Sequence, residues 1–322
     1  MTIEETEKLF GQILDGDMSD EEIASTLIIM ATRGETAEEI AGAARAMRAQ
    51  MIHIDAPAGA IDVCGTGGDG SHSLNVSTAV AIVVAACEVP VAKHGNRAAS
   101  SKAGAADTLE ALGLNLDRAM ETAEATLGDL GICFLFAQKH HPALARIAPI
   151  RKSIGRRTIF NFLGPLCNPG GVTRQLVGVP TPAIIPVYTK AISLLGSERA
   201  LTVSGEEGLD EISVSGPTCA KSIGFAFECD VITPQNAGLR VHAPDALKGG
   251  DAHYNAAALR RLLDGERKTL QDRAYRDAVL LNAAAALIVA GEVDDLRDGV
   301  EEAAEAIDKG LAKALLDCWV GF

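Results

Sequence analysis

Between Ala60 and Ser204 the chain repeats one unit: a short apolar run, a loop, and a helical stretch. The short runs are 60–64, 89–93, 132–137, 174–179 and 200–204, and 76–87 and 103–112 are the clearest of the helices between them. Strands that are apolar on both faces must be covered on both faces. That predicts a sheet with many parallel strands between helical layers. Ligands of such sheets sit beyond the carboxyl ends of the strands, so the loops after Cys64, Lys93 and Ser204 are expected to converge on one site.

The first fifty residues lack this pattern and read as three helices. Ile23, Leu27, Met30 and Ala31 fall on one helical face, and Ile40, Ala43, Met47 and Met51 on another. Capping boxes at Ser19-x-x-Glu22 and Thr36-x-x-Glu39 mark two of the helix starts. The change of pattern comes at Asp55-Ala56-Pro57-Ala58-Gly59, and 255–319 is again helical and alanine-rich. The expected fold class is α/β: a small N-terminal helical domain, 1–58, with the segment 141–170 packing beside it, and a larger α/β domain, 59–322, around a mostly parallel central sheet.

Composition narrows the partners. With 322 residues, 48% of them hydrophobic, the chain can bury a large core, which excludes disorder. Its 29 basic against 43 acidic residues leave a net charge of −14, which argues against nucleic acid and anionic membranes. Aromatics at 4% offer few stacking platforms for bases. The longest apolar run, 79–87, falls well short of the roughly 20 residues of a membrane span. Seven widely spaced cysteines without a C-x-x-C, and an acidic start where a signal peptide would be basic, fit reduced thiols in a cytoplasmic protein.

The loop Gly65-Thr66-Gly67-Gly68-Asp69-Gly70 formally matches G-x-G-x-x-G, the dinucleotide fingerprint. In that motif the third glycine enters the helix directly and an acidic residue ends the second strand. Here Ser71-His72-Ser73 intervene and the second strand ends in Lys93. The loop reads better as a cradle of backbone N–H groups for a phosphorylated ligand. Asn75-Val76-Ser77-Thr78 continues it at the start of the next helix, where the hydroxyls, the amide and the free N–H groups face an anion. Simple N-capping would explain Asn75 alone, but not the glycine loop with it.

Lys93-His94-Gly95-Asn96-Arg97 and Ser100-Ser101 follow the second strand. A lysine closing an apolar strand is expected to face a ligand or a carboxylate. The third loop carries Glu206, Glu207, Asp210 and Glu211, four like charges that repel one another. An exposed acidic loop is the plain alternative. The place of the loop after an apolar strand favours a metal site, because Mg²⁺ takes one or two carboxylates together with substrate phosphate oxygens.

Taken in order, Gly65-Thr66-Gly67-Gly68-Asp69, Asn75-Val76-Ser77-Thr78, Lys93-His94-Gly95-Asn96 with Ser100-Ser101, and Gly208-Leu209-Asp210-Glu211 resemble the signature set of the anthranilate phosphoribosyltransferase family. The likeness runs over almost the whole chain and takes in His141-Pro142, Arg151, the run from Thr158 to Leu166, and Asn168-Pro169. It implies a nucleoside phosphorylase/phosphoribosyltransferase-like fold and a homodimer. It also implies Mg²⁺-dependent transfer of phosphoribose from phosphoribosyl pyrophosphate to anthranilate, in tryptophan biosynthesis. On this resemblance Gly65, Gly67, Gly68, Asp69, Ser73, Asn75, Val76, Ser77, Thr78, Lys93, Gly95, Asn96, Arg97, Ser100 and Ser101 hold phosphoribosyl pyrophosphate. Gly65, His94, Asn96, His141 and Arg151 line the anthranilate slot, the planar guanidinium facing the carboxylate. Ser77, Asp210 and Glu211 place two Mg²⁺ ions. The amine is already a nucleophile, so no general base is assigned, and catalysis is charge neutralisation and positioning.

Three places depart from the family pattern. Ala103 and Ala105 stand where serines are common, Ser204 where a histidine is frequent, and Tyr254-Asn255 where Glu-Asn is common. A nucleoside phosphorylase would use inorganic phosphate and has no need of Asp210-Glu211. A nucleic-acid-binding relative would have lost the glycine loop or the acidic pair and gained a basic groove.

Overall fold

The computed structural model describes residues 1–98, 101–227 and 230–322. One sheet holds β1 (Ile61–Gly65), β2 (Val91–Gly95), β3 (Ile132–Phe136), β4 (Arg174–Gly178), β5 (Arg199–Gly205), β6 (Thr218–Ile223) and β7 (Val231–Ile232). Its order is β3-β2-β1-β4-β5-β6-β7. The pairs from β3 through β5 are parallel, and β6 and β7 are antiparallel additions at one edge. The parallel part follows the expectation. The antiparallel edge does not appear in it: β6 mixes polar and apolar residues, and a two-residue strand has no period to read.

The chain builds β1 to β3 outward in one direction, then returns to place β4 on the other side of β1. The β1/β4 seam is therefore the topological switch point, where a ligand crevice forms. One expectation needs correcting here. β2 begins at Val91, just after Pro90, which cannot donate to the ladder, and its pairing with β3 runs on through His94 to Gly95. Lys93 thus lies in the middle of the strand rather than at its end.

On one side of the sheet the helix Val76–Ala86, apolar all round, packs with the helix Leu270–Ala290 against Ile61, Val63 and Val203. On the other side lie the helices Ile3–Asp15, Asp20–Arg33 and Ala37–Ala49. Both expected capping boxes form, and Thr2 with Glu5 makes a third. Phe10, Ile23, Leu27 and Met47 of this layer share a core with Ile147, Ile150, Phe160 and Leu163 of segment 141–170. The helix Ile185–Leu194 joins the same core through Tyr188 and Ile192. A buried carboxylate ties the two sides together. Asp62 of β1 accepts from the His94 N–H at 3.2 Å and from Asn168 Nδ2 at 2.7 Å, and that amide also donates to the Ala92 carbonyl at 2.8 Å.

At the switch point both strand ends are glycine, with Gly65 and Gly178 in register as neighbours. The segment after β5 fills the room this leaves. A Cβ at Gly178 would lie 1.6 Å from the carbonyl oxygen of Asp210, and one at Gly65 would lie 2.1 Å from its carboxylate oxygen. The first clash is with main chain and the second with a side chain that can swing away. Gly178→Ala should therefore cost about 3 kcal/mol in urea unfolding, and Gly65→Ala clearly less. Equal losses would show that the Asp210 backbone is free to move.

Candidate active site

A cavity of about 390 Å³ opens over the switch point. The glycine loop, the loop after β2, Asp210 and Glu211 line one side, and His141, Leu144, Arg151 and Phe160 line the other. The three loops expected to converge do so.

Asp210 and Glu211 hang from the two halves of the cradle by main-chain bonds. The Gly67 N–H donates to Asp210 Oδ2 at 2.7 Å, and the Ser77 N–H to Glu211 Oε1 at 3.1 Å. The left-handed backbone that brings Gly67 and Gly68 round (φ 72° and 76°) is one that glycine adopts without strain. Loss of solvation and then Asp69 push the Asp210 carboxyl well above the usual carboxylate range. Loss of solvation and then Asp210 do the same to Glu211. Behind them Asn282 clamps the main chain of Ile212, accepting its N–H and donating to its carbonyl, both at 2.9 Å. The other two acidic residues of this loop turn away: Glu206 is exposed, and Glu207 accepts from the Ser213 hydroxyl.

Among the described residues no group of three or more histidine, cysteine or acidic side chains gathers as a metal site. What the cavity offers is two hard carboxylate donors, adjacent and poorly solvated, with the half-buried Asp69 carboxylate beside Asp210. That set suits Mg²⁺, whose remaining positions go to phosphate oxygens and water.

Lys93, 2% exposed, points up through the sheet. Its Nζ donates to the Val63 carbonyl at 2.7 Å and to Ser77 Oγ at 3.4 Å, so the ammonium lies under the start of the helix Val76–Ala86. His94 Nδ1 meets the Gly164 carbonyl at 2.9 Å, which fixes the proton there and leaves Nε2 buried and unpartnered. Burial, reinforced by His141, pulls the His94 imidazole down to about 3, and burial pulls His141 down to about 4. Their rings stand 5.2 Å apart as a neutral pair. Arg151 lies 5.4 Å over the Phe160 ring, with no carboxylate partner among the described residues.

Of the described residues expected in the site, all but Thr78 line the cavity. Thr78 is 1% exposed, because the first turn of its helix carries it into the core. Ser100 lies outside the described residues. The Asn75 amide does not cap its helix. It donates to the Ala103 carbonyl at 3.3 Å and accepts from Thr108 and Asn255. Arg97 is committed to Asp107 at 3.0 Å and to Glu110, which hold its guanidinium pKa above the usual range. Asn96 Oδ1 accepts the Arg97 N–H at 2.8 Å, and Ser101 Oγ faces the Ala103 carbonyl at 3.4 Å. Gly95 has no room for a Cβ, which would meet Phe134 at 2.8 Å. Ser73 bridges to Lys248, pinning the glycine loop to the chain before the C-terminal helices. Sequence reasoning missed Asp62, Thr108, Tyr275 and Asn282. The signal for Asn282 was a lone amide in the run Leu280-Leu281-Asn282-Ala283-Ala284.

Two family models divide the chain between them. The glycosyl transferase family helical bundle domain matches residues 1–51, and the glycosyl transferase family a/b domain matches residues 58–313. The chain is 64% identical over 317 residues to the anthranilate phosphoribosyltransferase of Novosphingobium aromaticivorans, covering 98% of this chain and 94% of that one. It is 60% identical to that of Sphingopyxis alaskensis, covering 99% and 95%. Among solved structures it resembles the Thermus thermophilus enzyme of that name at a TM-score of 0.91 and 40% identity, covering 100% of this chain and 95% of the other. The Saccharomyces cerevisiae enzyme, solved in complex with PRPP and Mg, follows at a TM-score of 0.89 and 28% identity, covering 99% and 93%. The chain belongs to the anthranilate phosphoribosyltransferase family.

Proposed function

We propose that this chain catalyses the Mg²⁺-dependent transfer of phosphoribose from 5-phosphoribosyl 1-pyrophosphate to the amine of anthranilate, giving N-(5-phosphoribosyl)anthranilate and pyrophosphate in tryptophan biosynthesis. The observation that carries this reading is the suspension of Asp210 and Glu211 from Gly67 and Ser77. It joins two carboxylates to a phosphate cradle, an arrangement with no use for inorganic phosphate alone. The yeast relative was solved with PRPP and Mg, and also with 4-fluoroanthranilate.

In this reading the remaining N–H groups of the glycine loop receive the phosphates, since those of Gly67, Val76 and Ser77 are already bonded to Asp210, Leu74 and Glu211, with the Ser77 hydroxyl and the Lys93 ammonium beneath them. Asp210 and Glu211, with Ser77, would hold two Mg²⁺ ions, which supply charge neutralisation when bound. The anthranilate nitrogen forms its bond to the ribose C1 as the C1–O bond to pyrophosphate breaks, and the nitrogen then gives up a proton. His94 and His141, held neutral, wall the slot without adding charge. Arg151 is then the cation that meets the anthranilate carboxylate, its guanidinium 5.4 Å from the centre of the Phe160 ring.

Homodimerisation and a cytoplasmic location belong to the same proposal. Ile23 and Met47 are used up in the core, but Ile28 and Ile29 stay exposed on the helix Asp20–Arg33 as apolar surface for a partner copy. The six described cysteines are free thiols, as a reducing compartment keeps them. No helix among the described residues is long and apolar enough to cross a membrane.

Incubation with Mg²⁺, phosphoribosyl pyrophosphate and anthranilate should consume anthranilate fluorescence, and chelation should stop it. Turnover of another aromatic amine but not anthranilate would overturn the substrate and keep the reaction class. Asp210→Asn with Glu211→Gln should lower kcat/KM by about 100-fold or more while the fold survives by circular dichroism. Intact Mg²⁺-dependent turnover in that variant would put the metal elsewhere. Arg151→Ala should raise the KM for anthranilate by roughly 10- to 100-fold, the loss of a charge-assisted pair, with little change for phosphoribosyl pyrophosphate. Equal effects on both would place Arg151 outside the slot.

A further inference from the structure

We infer that Asn255 is a positioning residue for the phosphoribosyl pyrophosphate loops, acting by setting which end of the Asn75 amide faces the cavity. This rests on the substrate reading above.

Asn255 is 1% exposed and does not line the cavity. Its Oδ1 accepts the Gly250 N–H at 2.8 Å. A main-chain N–H can only donate, so the oxygen of this amide must lie there and its nitrogen must face the other way. That nitrogen donates to Asn75 Oδ1 at 2.8 Å, and the Thr108 hydroxyl donates to the same oxygen at 2.6 Å. With two donors on its oxygen, Asn75 turns its nitrogen to the Ala103 carbonyl at 3.3 Å, and a carbonyl can only accept. The chain of bonds thus begins at a main-chain donor and ends at a main-chain acceptor. Reversing either amide would set acceptor against acceptor at one end and donor against donor at the other.

Two consequences follow for the cavity. The second N–H of Asn75 has no partner among the described residues, and Asn75 lines the cavity, so the amide offers an anion a donor and keeps its oxygen away. The bonds also join segments far apart in sequence. The Gly249 N–H donates to the His72 carbonyl at 2.8 Å, the Leu74 N–H to the Leu247 carbonyl at 2.8 Å, and the Tyr275 hydroxyl to the Asn75 carbonyl at 3.0 Å. The glycine loop and the loop after β2 therefore share one anchor, Asn75, whose orientation Asn255 sets from behind. Ala103 takes part through its carbonyl, so the chain of bonds does not depend on a side chain at 103.

The test compares Asn255→Asp, Asn255→Ala, Asn75→Ala and the double variant Asn75→Ala/Asn255→Asp in the full chain. It measures kcat, both KM values, and the Kd for phosphoribosyl pyrophosphate by calorimetry without anthranilate. Asp at 255 keeps the acceptor for Gly250 but sets an oxygen against Asn75 Oδ1. It should raise both the KM and the Kd for phosphoribosyl pyrophosphate about tenfold, leaving kcat and the anthranilate KM within about twofold. Asn255→Ala, with Thr108 still in place, should shift them in the same direction by about threefold. On the Asn75→Ala background Asn255→Asp should add nothing. The same fold-change on that background, or a parallel loss in every constant with a lowered melting temperature, would overturn the inference. If Asn255→Asp does not fold, Thr108→Val removes the other donor to the same oxygen and should raise the KM for phosphoribosyl pyrophosphate about threefold; no change there would overturn it too. A wild-type chain that binds phosphoribosyl pyrophosphate while Asn255→Asp leaves its affinity untouched overturns this inference alone. A wild-type chain that does not bind it overturns the substrate reading as well.

Discussion

Two adjacent carboxylates, Asp210 and Glu211, are held side by side where loss of solvation and a neighbouring acid, Asp69 for the first and Asp210 for the second, raise the cost of ionisation. Most of the surrounding architecture serves to make that arrangement possible. Neighbouring strands end in bare backbone at Gly65 and Gly178 so that Asp210 can sit against both. Gly67 and Ser77 then give up main-chain N–H groups to the two carboxylates, and Asn282 clamps the next residue from the helix behind. A pair so arranged is costly in an empty protein and useful to one whose ligand brings phosphate and a divalent cation together. The local arrangement also settles what the global charge of −14 could not. The protein is acidic, but its cavity is lined by Lys93, Arg151 and the backbone of the glycine loop.

The cavity is built by two cores rather than one. The phosphate cradle stands on the sheet and on the helix Val76–Ala86, inside the larger core. His141, Arg151 and Phe160 belong to the segment packed with the N-terminal helices. Several polar links cross between them. The His94 ring meets the Gly164 carbonyl, and Asp62 holds both the His94 N–H and the Asn168 amide. Asp62 is fully buried and its carboxyl is pushed up by loss of solvation, so its partners are obligatory rather than ornamental. These bonds join the His141 and Arg151 side of the cavity to the side that carries the glycine loop.

Much of this is legible in the order of the amino acids. Apolar runs separated by helices announce the parallel sheet, capping boxes locate two helix starts, and the rule for strand ends brings three distant loops to one place. What the sequence conceals has physical causes. Lys93 lies inside its strand rather than at its end because the ladder with β3 continues through His94 and Gly95, a pairing between distant segments that local composition hides. β6 carries Lys221 and Ser222 among its few residues and lies at the antiparallel edge, where neither a buried nor an alternating pattern is required. Arg97 looks like a phosphate ligand when charge alone is visible. Its partners Asp107 and Glu110 come a helix later and are recognisable only in space.

Asn75 shows the limit most clearly. Its place at the start of a helix after a glycine loop suggests an amide turned to a ligand, and local reasoning sets only N-capping against that. In the fold its oxygen is claimed by Thr108 and by Asn255, the latter 180 positions away, and one nitrogen hydrogen by Ala103. Both readings contain part of the chemistry, since one N–H remains for the cavity. A single amide thus serves as ligand and strut at once, and the strut decides whether the ligand end is a donor. On the reading proposed above, anion recognition in this cavity depends on hydrogen-bond polarity fixed at the Gly250 N–H and the Ala103 carbonyl. On that reading a residue in the C-terminal helical layer bears on a phosphate site built 180 positions earlier in the chain.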